Sequence, residues 1–291
     1  WHNDSPVGTD PAGAIDNISV TGTNCGSPYN LTANNVLENS FSVGFTPALA
    51  TDNSWQILIL APGDSIDESQ AITIYDTTYE FTNLLGNTPY TIYVRTDCGS
   101  EYSYWSAALN VRTACPQYMA LPFAESFDTY GAGSSSYYPS CWTRMSTYGT
   151  TYPYISSTNH SAPGSLYFYS SSTSYNMIAL PEIDPTTPVN GLTLSFSLYS
   201  SSTSNPIIVG VMSSLDASTF TPVQSVYVSA ASTWQEKEID LSSYTGSGNI
   251  IAFKYMPSGS YSIYMDDFQI YATPTCLKPM NVALSQITDN S

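Results

Sequence analysis

The chain has 291 residues, 42% of them hydrophobic, and six basic against 23 acidic side chains give a formal net charge of −17 at pH 7. That acidity repels phosphate backbones and anionic lipid, which argues against nucleic acid as a partner, and no apolar run approaches the roughly 20 residues of a membrane-inserted span. Only 10% of residues are charged, so Ser, Thr, Tyr and Asn clothe the surface in neutral hydrogen-bonding groups, as in an extracellular β protein.

Residues 1 to 24 hold one strand pattern, Ala14 to Val20. The surrounding Gly13-Ala-Ile-Asp-Asn-Ile-Ser-Val-Thr-Gly-Thr-Asn-Cys25 has a second version at the other end, Tyr261-Ser-Ile-Tyr-Met-Asp-Asp-Phe-Gln-Ile-Tyr-Ala-Thr-Pro-Thr-Cys276. The cysteines are offset by 276 − 25 = 251 residues, too long for a solenoid unit and suited to a two-domain one. The chain therefore reads as one period of a larger array. On that reading 1–24 is the last strand of a preceding domain, 25–115 and 116–272 are complete domains, and 273–291 is the first strand of another. A lone strand is not stable, so neighbouring repeats or subunits are the expected partners of Ala14 to Val20.

Residues 25–115 show short strands with frequent turn signals, the pattern of a sandwich. Phe41, Val43 and Phe45 alternate inward, Trp55 to Leu60 is a central strand, Ala71 to Tyr75 and Thr78 to Phe81 follow, and Trp105 to Thr113 closes the domain. Leu84, Pro89 and Tyr90, followed by alternating Ile92 and Val94, resemble the fibronectin type III domain, whose Leu-to-Tyr corner precedes the sixth strand. The Val-Arg-Thr-Asp-Cys98-Gly and Arg-Thr-Ala-Cys115 endings are similar to those in repeat-rich surface proteins of Bacteroidetes. Phe45 stands where that family often has Trp.

Residues 116–272 show no helical period. Ten strands are expected: Phe123 to Phe127, Cys141 to Met145, Ser165 to Ser170, Asn176 to Leu180, Leu192 to Tyr199, Ile207 to Met212, Val223 to Val228, Gln235 to Leu241, Ile250 to Tyr255 and Ile263 to Tyr271. Such a count suits two face-packed sheets, a jelly roll, so the whole chain is all-β. Pro122-Phe-Ala-Glu-Ser-Phe-Asp128, Pro139-Ser-Cys-Trp142, His160-Ser-Ala-Pro-Gly-Ser-Leu-Tyr-Phe168 and Met265-Asp-Asp-Phe268 resemble, in order, the MAM-like and cleaved-adhesin jelly rolls.

None of the five cysteines sits in a CxxC pair, which argues against thiolate zinc. Cys25, Cys98, Cys115 and Cys141 permit three connectivities. Domain boundaries favour Cys25 with Cys98 and Cys115 with Cys141, leaving Cys276 unpaired, and the MAM-like resemblance also implies the second bridge.

Catalytic raw material is scarce. His160, one of two histidines, has no serine elbow or Asp partner near it in sequence and reads as a turn residue. The carboxylates Glu125, Asp128, Asp266 and Asp267 have another use. Alternation places Asp266 on the face of Phe268 and Ile270, where an unpaired charge is costly, and no Lys or Arg lies near it in sequence. A structural Ca2+ is the expected counter-charge. The resembling jelly rolls hold one where the first and last strands meet, which implies Asp128 and Asp266 as ligands, with Glu125 and Asp267 as further candidates.

Tyr148 and Tyr152, in a tyrosine-rich loop stretch, are candidate ligand-binding residues for glycans or host surface proteins. Ser65 and Thr77, in Asp64-Ser65-Ile66 and Asp76-Thr77-Thr78, resemble the O-glycosylation motif of secreted Bacteroidetes proteins. The function expected is a noncatalytic repeat unit of an extracellular, cell-surface adhesin or fibre; the alternative is an accessory or carbohydrate-binding region of a large secreted hydrolase.

Overall fold

A computed structural model describes residues 25–147, 151–171 and 174–274. The expected strand Ala14 to Val20, Tyr148, Cys276 and nearly all of the 273–291 segment lie outside the described residues. The chain divides into two units, the first ending at Thr113 and the second following it, with Leu85–Asn87 grouped with the second. No helix among the described residues is long and apolar enough to cross a membrane.

The first unit contains β1 (Tyr29–Asn34), β2 (Phe41–Thr46), β3 (Trp55–Leu60), β4 (Ile72–Ile74), β5 (Thr78–Phe81), β6 (Pro89–Thr96) and β7 (Leu109–Arg112). They form two antiparallel sheets, in the orders β1-β2-β5 and β4-β3-β6-β7. The period of two decides what is inside: Phe41, Val43 and Phe45 are buried while Ser42, Gly44 and Thr46 are half-buried. Phe41 packs on Phe81 and Tyr90, and Phe45 meets Trp55 edge-on at 5.3 Å. The aromatic at position 45 thus joins the core without the indole that the family often has there. The last strand is shorter than expected, starting at Leu109. Before it, the hydroxyls of Ser106 and Ser103 accept the N–H groups of Val94 and Thr96 at 3.1 and 2.9 Å. Side-chain oxygens there replace carbonyls, so the ladder continues without a regular strand. Cys25 is bonded to Cys98.

The second unit contains β8 (Phe123–Glu125), β9 (Thr143–Ser146), β10 (Tyr154–Ser156), β11 (Ser165–Ser170), β12 (Asn176–Ala179), β13 (Leu192–Ser200), β14 (Ile207–Met212), β15 (Thr221–Val226), β16 (Gln235–Asp240), β17 (Ile250–Tyr255) and β18 (Tyr261–Ala272). One sheet runs β10-β11-β18-β13-β16, with β8 also on β18; the other runs β15-β14-β17-β12-β9. The strand absent from the expected set is β10, whose short Tyr-Ile-Ser run sits among turn-forming residues. Side chains of both sheets share one core, in which Trp142 packs on Phe127 and Phe268, and Phe253 on Phe196 and Phe268. Each such aromatic, fully withdrawn from water, contributes about 1.5–3 kcal/mol. Cys115 is bonded to Cys141, next to Trp142.

The closing strand β18 organises the first sheet. Its residues 261–265 pair with β11 and its residues 268–270 with β8, along the same edge. Between those two stretches the ladder with β13 slips: Ser195 faces Gln269 but Ser197 faces Asp266. One extra residue on β18 therefore bulges, and Asp267 takes φ of +50°. This corrects the simple alternation expected of the strand. Met265 and Phe268, three apart, both lie in the core, so Asp266 does not follow the face of Phe268 by counting in twos. It is nonetheless fully buried.

Candidate functional site

At the bulge, the turn before β11 crosses the gap between β8 and β11. The Asp266 carboxylate fills that gap. Its Oδ2 accepts the N–H groups of His160 at 2.7 Å and Ser161 at 2.9 Å, and its Oδ1 accepts the N–H of Asp267 at 2.8 Å. Three backbone donors thus face this buried charge. Burial still pushes its pKa above the usual aspartate value, against the pull of those donors.

Asp267 holds the same turn from outside, with Oδ2 2.6 Å from Nδ1 of His160 and Oδ1 accepting the Ser161 hydroxyl at 2.7 Å. His160 therefore has a carboxylate partner, which its sequence neighbourhood did not provide. Ser197 Oγ stands 3.3 Å from the same Nδ1. In a nucleophile–base–orienter relay the hydroxyl and the carboxylate address opposite ring nitrogens. Here both address one, and the arrangement pins a turn rather than activating an oxygen.

Glu125 and Asp128 form the other acidic pair. Glu125 Oε1 accepts the Phe127 N–H at 2.7 Å and Oε2 accepts the Tyr130 hydroxyl at 3.0 Å. Burial is the main cause that raises its pKa, and the neighbouring Asp128 charge adds to it. Asp128 Oδ1 is buried with no hydrogen-bond partner among the described residues. The four acids expected to share calcium thus divide into two pairs, and no group of three His, Cys, Asp or Glu among the described residues is placed to hold a metal ion. The orphaned Asp128 oxygen beside Glu125 fits a hard cation. Asp266 also holds the turn at residues 160–161 through its backbone hydrogen bonds.

The aromatic residues make the largest feature. Tyr154 on β10 faces Tyr167 on β11, Tyr167 faces Tyr264 on β18, and Tyr264 faces Tyr199 on β13. Trp234, just before β16, continues the line. Successive ring centroids lie 5.3, 4.6, 5.5 and 5.5 Å apart. One aromatic per strand thus crosses the whole sheet at its interstrand repeat of about 4.7–4.9 Å. All five rings are half-buried. Their neighbours in sequence, such as Leu166 and Phe168 or Ile263 and Met265, fill the core behind them. Tyr152 joins the row through rings at 5.3 Å from Tyr154 and 5.6 Å from Tyr167. Burial first, then the neighbouring phenols, holds the Tyr167 hydroxyl well above the usual tyrosine pKa, and Tyr154 shifts the same way.

Of the two ligand candidates, Tyr152 lies in this row and Tyr148 lies outside the described residues. Tyr154 belongs to the same tyrosine-rich stretch of sequence, whereas Tyr167, Tyr264 and Tyr199 are not legible as its neighbours because they come from three separate strands. The available signal was local: Tyr167, Tyr169, Tyr199 and Tyr264 stand at outward positions, where a half-exposed strand normally carries small polar residues. Beside the row on the same face, Ser195, Ser197, Gln269, Tyr271, Glu236 and Glu238 line an open groove with His160 and Asp267 at one side. In the first unit, Ser65 is exposed beside the β3–β4 turn, and Thr77 is half-buried between β4 and β5.

Comparison with known proteins bears first on the two-sheet unit that begins at Cys25. Residues 26–112 match the fibronectin type III domain. No curated protein is similar to the chain in sequence. Among solved structures, the K1 cleaved adhesin domain of Lys-gingipain from Porphyromonas gingivalis is 20% identical, with 53% of this chain and 100% of that one covered and a TM-score of 0.41. The FN5 domain of Drosophila Lar is 21% identical over 32% of this chain and 99% of that one, with a TM-score of 0.27. A computationally redesigned β-sandwich protein is 22% identical over 30% and 94%, with a TM-score of 0.26.

Proposed function

We propose that this chain is a noncatalytic, adhesion-type module working outside the cell at a cell surface, and that the aromatic row of the second unit is its contact face. The row carries the proposal. Half-buried tyrosines and a tryptophan, held rigid by their strands, offer contact area at small entropic cost, which is what adhesive surfaces need. Two disulfides are compatible with an oxidising, extracellular setting. The fibronectin type III domain supports a spacer role for the first unit. Neighbouring copies of the same two-domain unit are the proposed partners along an array, on the strength of the 251-residue internal repeat.

A structural Ca2+ belongs to this proposal at Glu125 and Asp128, where it would neutralise the orphaned carboxylate oxygen and the repulsion between the pair. Ser65 and Thr77 are proposed O-glycosylation sites on their motif, and the exposure of Ser65 adds to the case there. The alternative role, an accessory region of a secreted hydrolase, uses the same face to hold the enzyme on its substrate. Beads carrying the full chain, scored for retention under flow on mucin-coated and cell-covered surfaces, test the adhesion reading. Retention well above that of albumin-coated beads is expected. Retention equal to that control counts against it.

A further inference from the structure

The face that carries the row has a second property, the chemistry of the groove beside it. Along β13 the outward positions read Ser195, Ser197 and Tyr199, and the alternate residues Leu194, Phe196 and Leu198 fill the core. Ser197 is buried against His160, so the half-buried Ser195 is the hydroxyl this strand offers on the face of the aromatic. Across β18 and β16 the groove adds Gln269, Tyr271, Glu236 and Glu238. It thus combines hydroxyl, amide and carboxylate groups, the donors and acceptors that vicinal sugar hydroxyls pair with.

We infer that this face binds a neutral, extended glycan chain lying across the strands, a reading that rests on the adhesive role proposed above and names its ligand. The row advances by one ring per strand, with centroids 4.6–5.5 Å apart, close to the advance of one pyranose along an extended polysaccharide. Tyr167 and Tyr264 stack on each other with Tyr154 and Tyr199 edge-on to them, so the apolar C–H surfaces of successive sugars meet a ridge of ring edges as well as faces, and their equatorial hydroxyls reach the groove. Charge selects the class. Glu236, Glu238 and Asp267 outnumber Lys237 along the groove, and the whole chain carries −17, so sulfated or uronic-acid polymers are repelled while neutral chains are not. A folded protein partner would also use tyrosines, but the one-dimensional repeat of the row matches a polymer better than a globular surface.

The test is affinity electrophoresis of the full chain in gels containing mixed-linkage β-glucan, galactomannan, xylan, mannan or galactan, with heparin and alginate as anionic controls. Retardation by at least one neutral polysaccharide and by neither anion is expected. Tyr199→Ala with Trp234→Ala should weaken binding at least tenfold while thermal melting still shows a folded second unit. Ser195→Ala with Gln269→Ala, which leaves the row intact, should weaken it severalfold. Absence of retardation across the neutral panel, or retardation untouched by both pairs of changes, overturns the inference. If the beads adhere to cells, lose that adhesion with Tyr199→Ala and Trp234→Ala, and the chain ignores every glycan, the ligand is a protein. The adhesive reading then stands and the glycan reading falls. If the beads adhere to nothing, yet a glycan retards the chain through the row, the reverse holds.

Discussion

Replacing Asp266 with alanine would release the turn at residues 160–161 from the bulge of β18. Three N–H groups, those of His160, Ser161 and Asp267, lose an acceptor at 2.7, 2.9 and 2.8 Å. Each buried donor left without a partner costs about 1–3 kcal/mol. The buried carboxylate itself opposes folding through desolvation, the first cause of its raised pKa, so the low end of that range applies and the net loss is about 3 kcal/mol. For a domain of this size that corresponds to about 6–12 °C in melting temperature. Scanning calorimetry of the full chain should resolve one transition for each unit, with only that of the second unit moving. Asp266→Asn keeps one acceptor oxygen and should lie between wild type and alanine. The sign with pH also follows. Because the folded carboxyl binds its proton more tightly than the unfolded one, this group's contribution is fully present below the ordinary aspartate value near 4 and declines as pH rises through its folded value. Mild acid is therefore not expected to open the turn. A shift below about 2 °C for Asp266→Ala, or an asparagine variant as damaged as the alanine one, would refute the clamp.

The Tyr255 hydroxyl is buried with no hydrogen-bond partner among the described residues, so Tyr255→Phe should raise stability in urea by about 1–2 kcal/mol; a loss would mean that the hydroxyl has a partner. Tyr167 and Tyr255 both hold their protons above the ordinary tyrosine value, chiefly through burial. The second unit should accordingly keep its full stability below about pH 10 and lose it as pH rises further, with a late fraction of phenolate absorbance appearing only on unfolding; a single titration step at the ordinary value for all tyrosines contradicts this. If a cation sits at Glu125 and Asp128, excess chelator should lower the second unit's melting temperature and Asp128→Asn should abolish that response. An unchanged melting curve in chelator removes calcium from the account.

The sequence by itself determined the all-β class and the fibronectin type III unit, because a period of two with turn residues between short apolar runs has few other solutions. Phe41, Val43 and Phe45 announce an inward face, and nothing distant in the chain alters it. The cysteine partners followed from dividing the chain into two sandwiches. Tertiary structure decided the rest through register. A bulge of one residue at Asp267 moved Met265 into the core, and brought the backbone of residues 160–161, more than a hundred positions away, onto the Asp266 charge. The same dependence hid the aromatic row. Tyr154, Tyr167, Tyr264 and Tyr199 come from four strands and become neighbours only through hydrogen-bond pairing, which no local pattern encodes. Only Tyr154 stands in a tyrosine-rich stretch that a sequence pattern can pick out; strand order makes the four one surface.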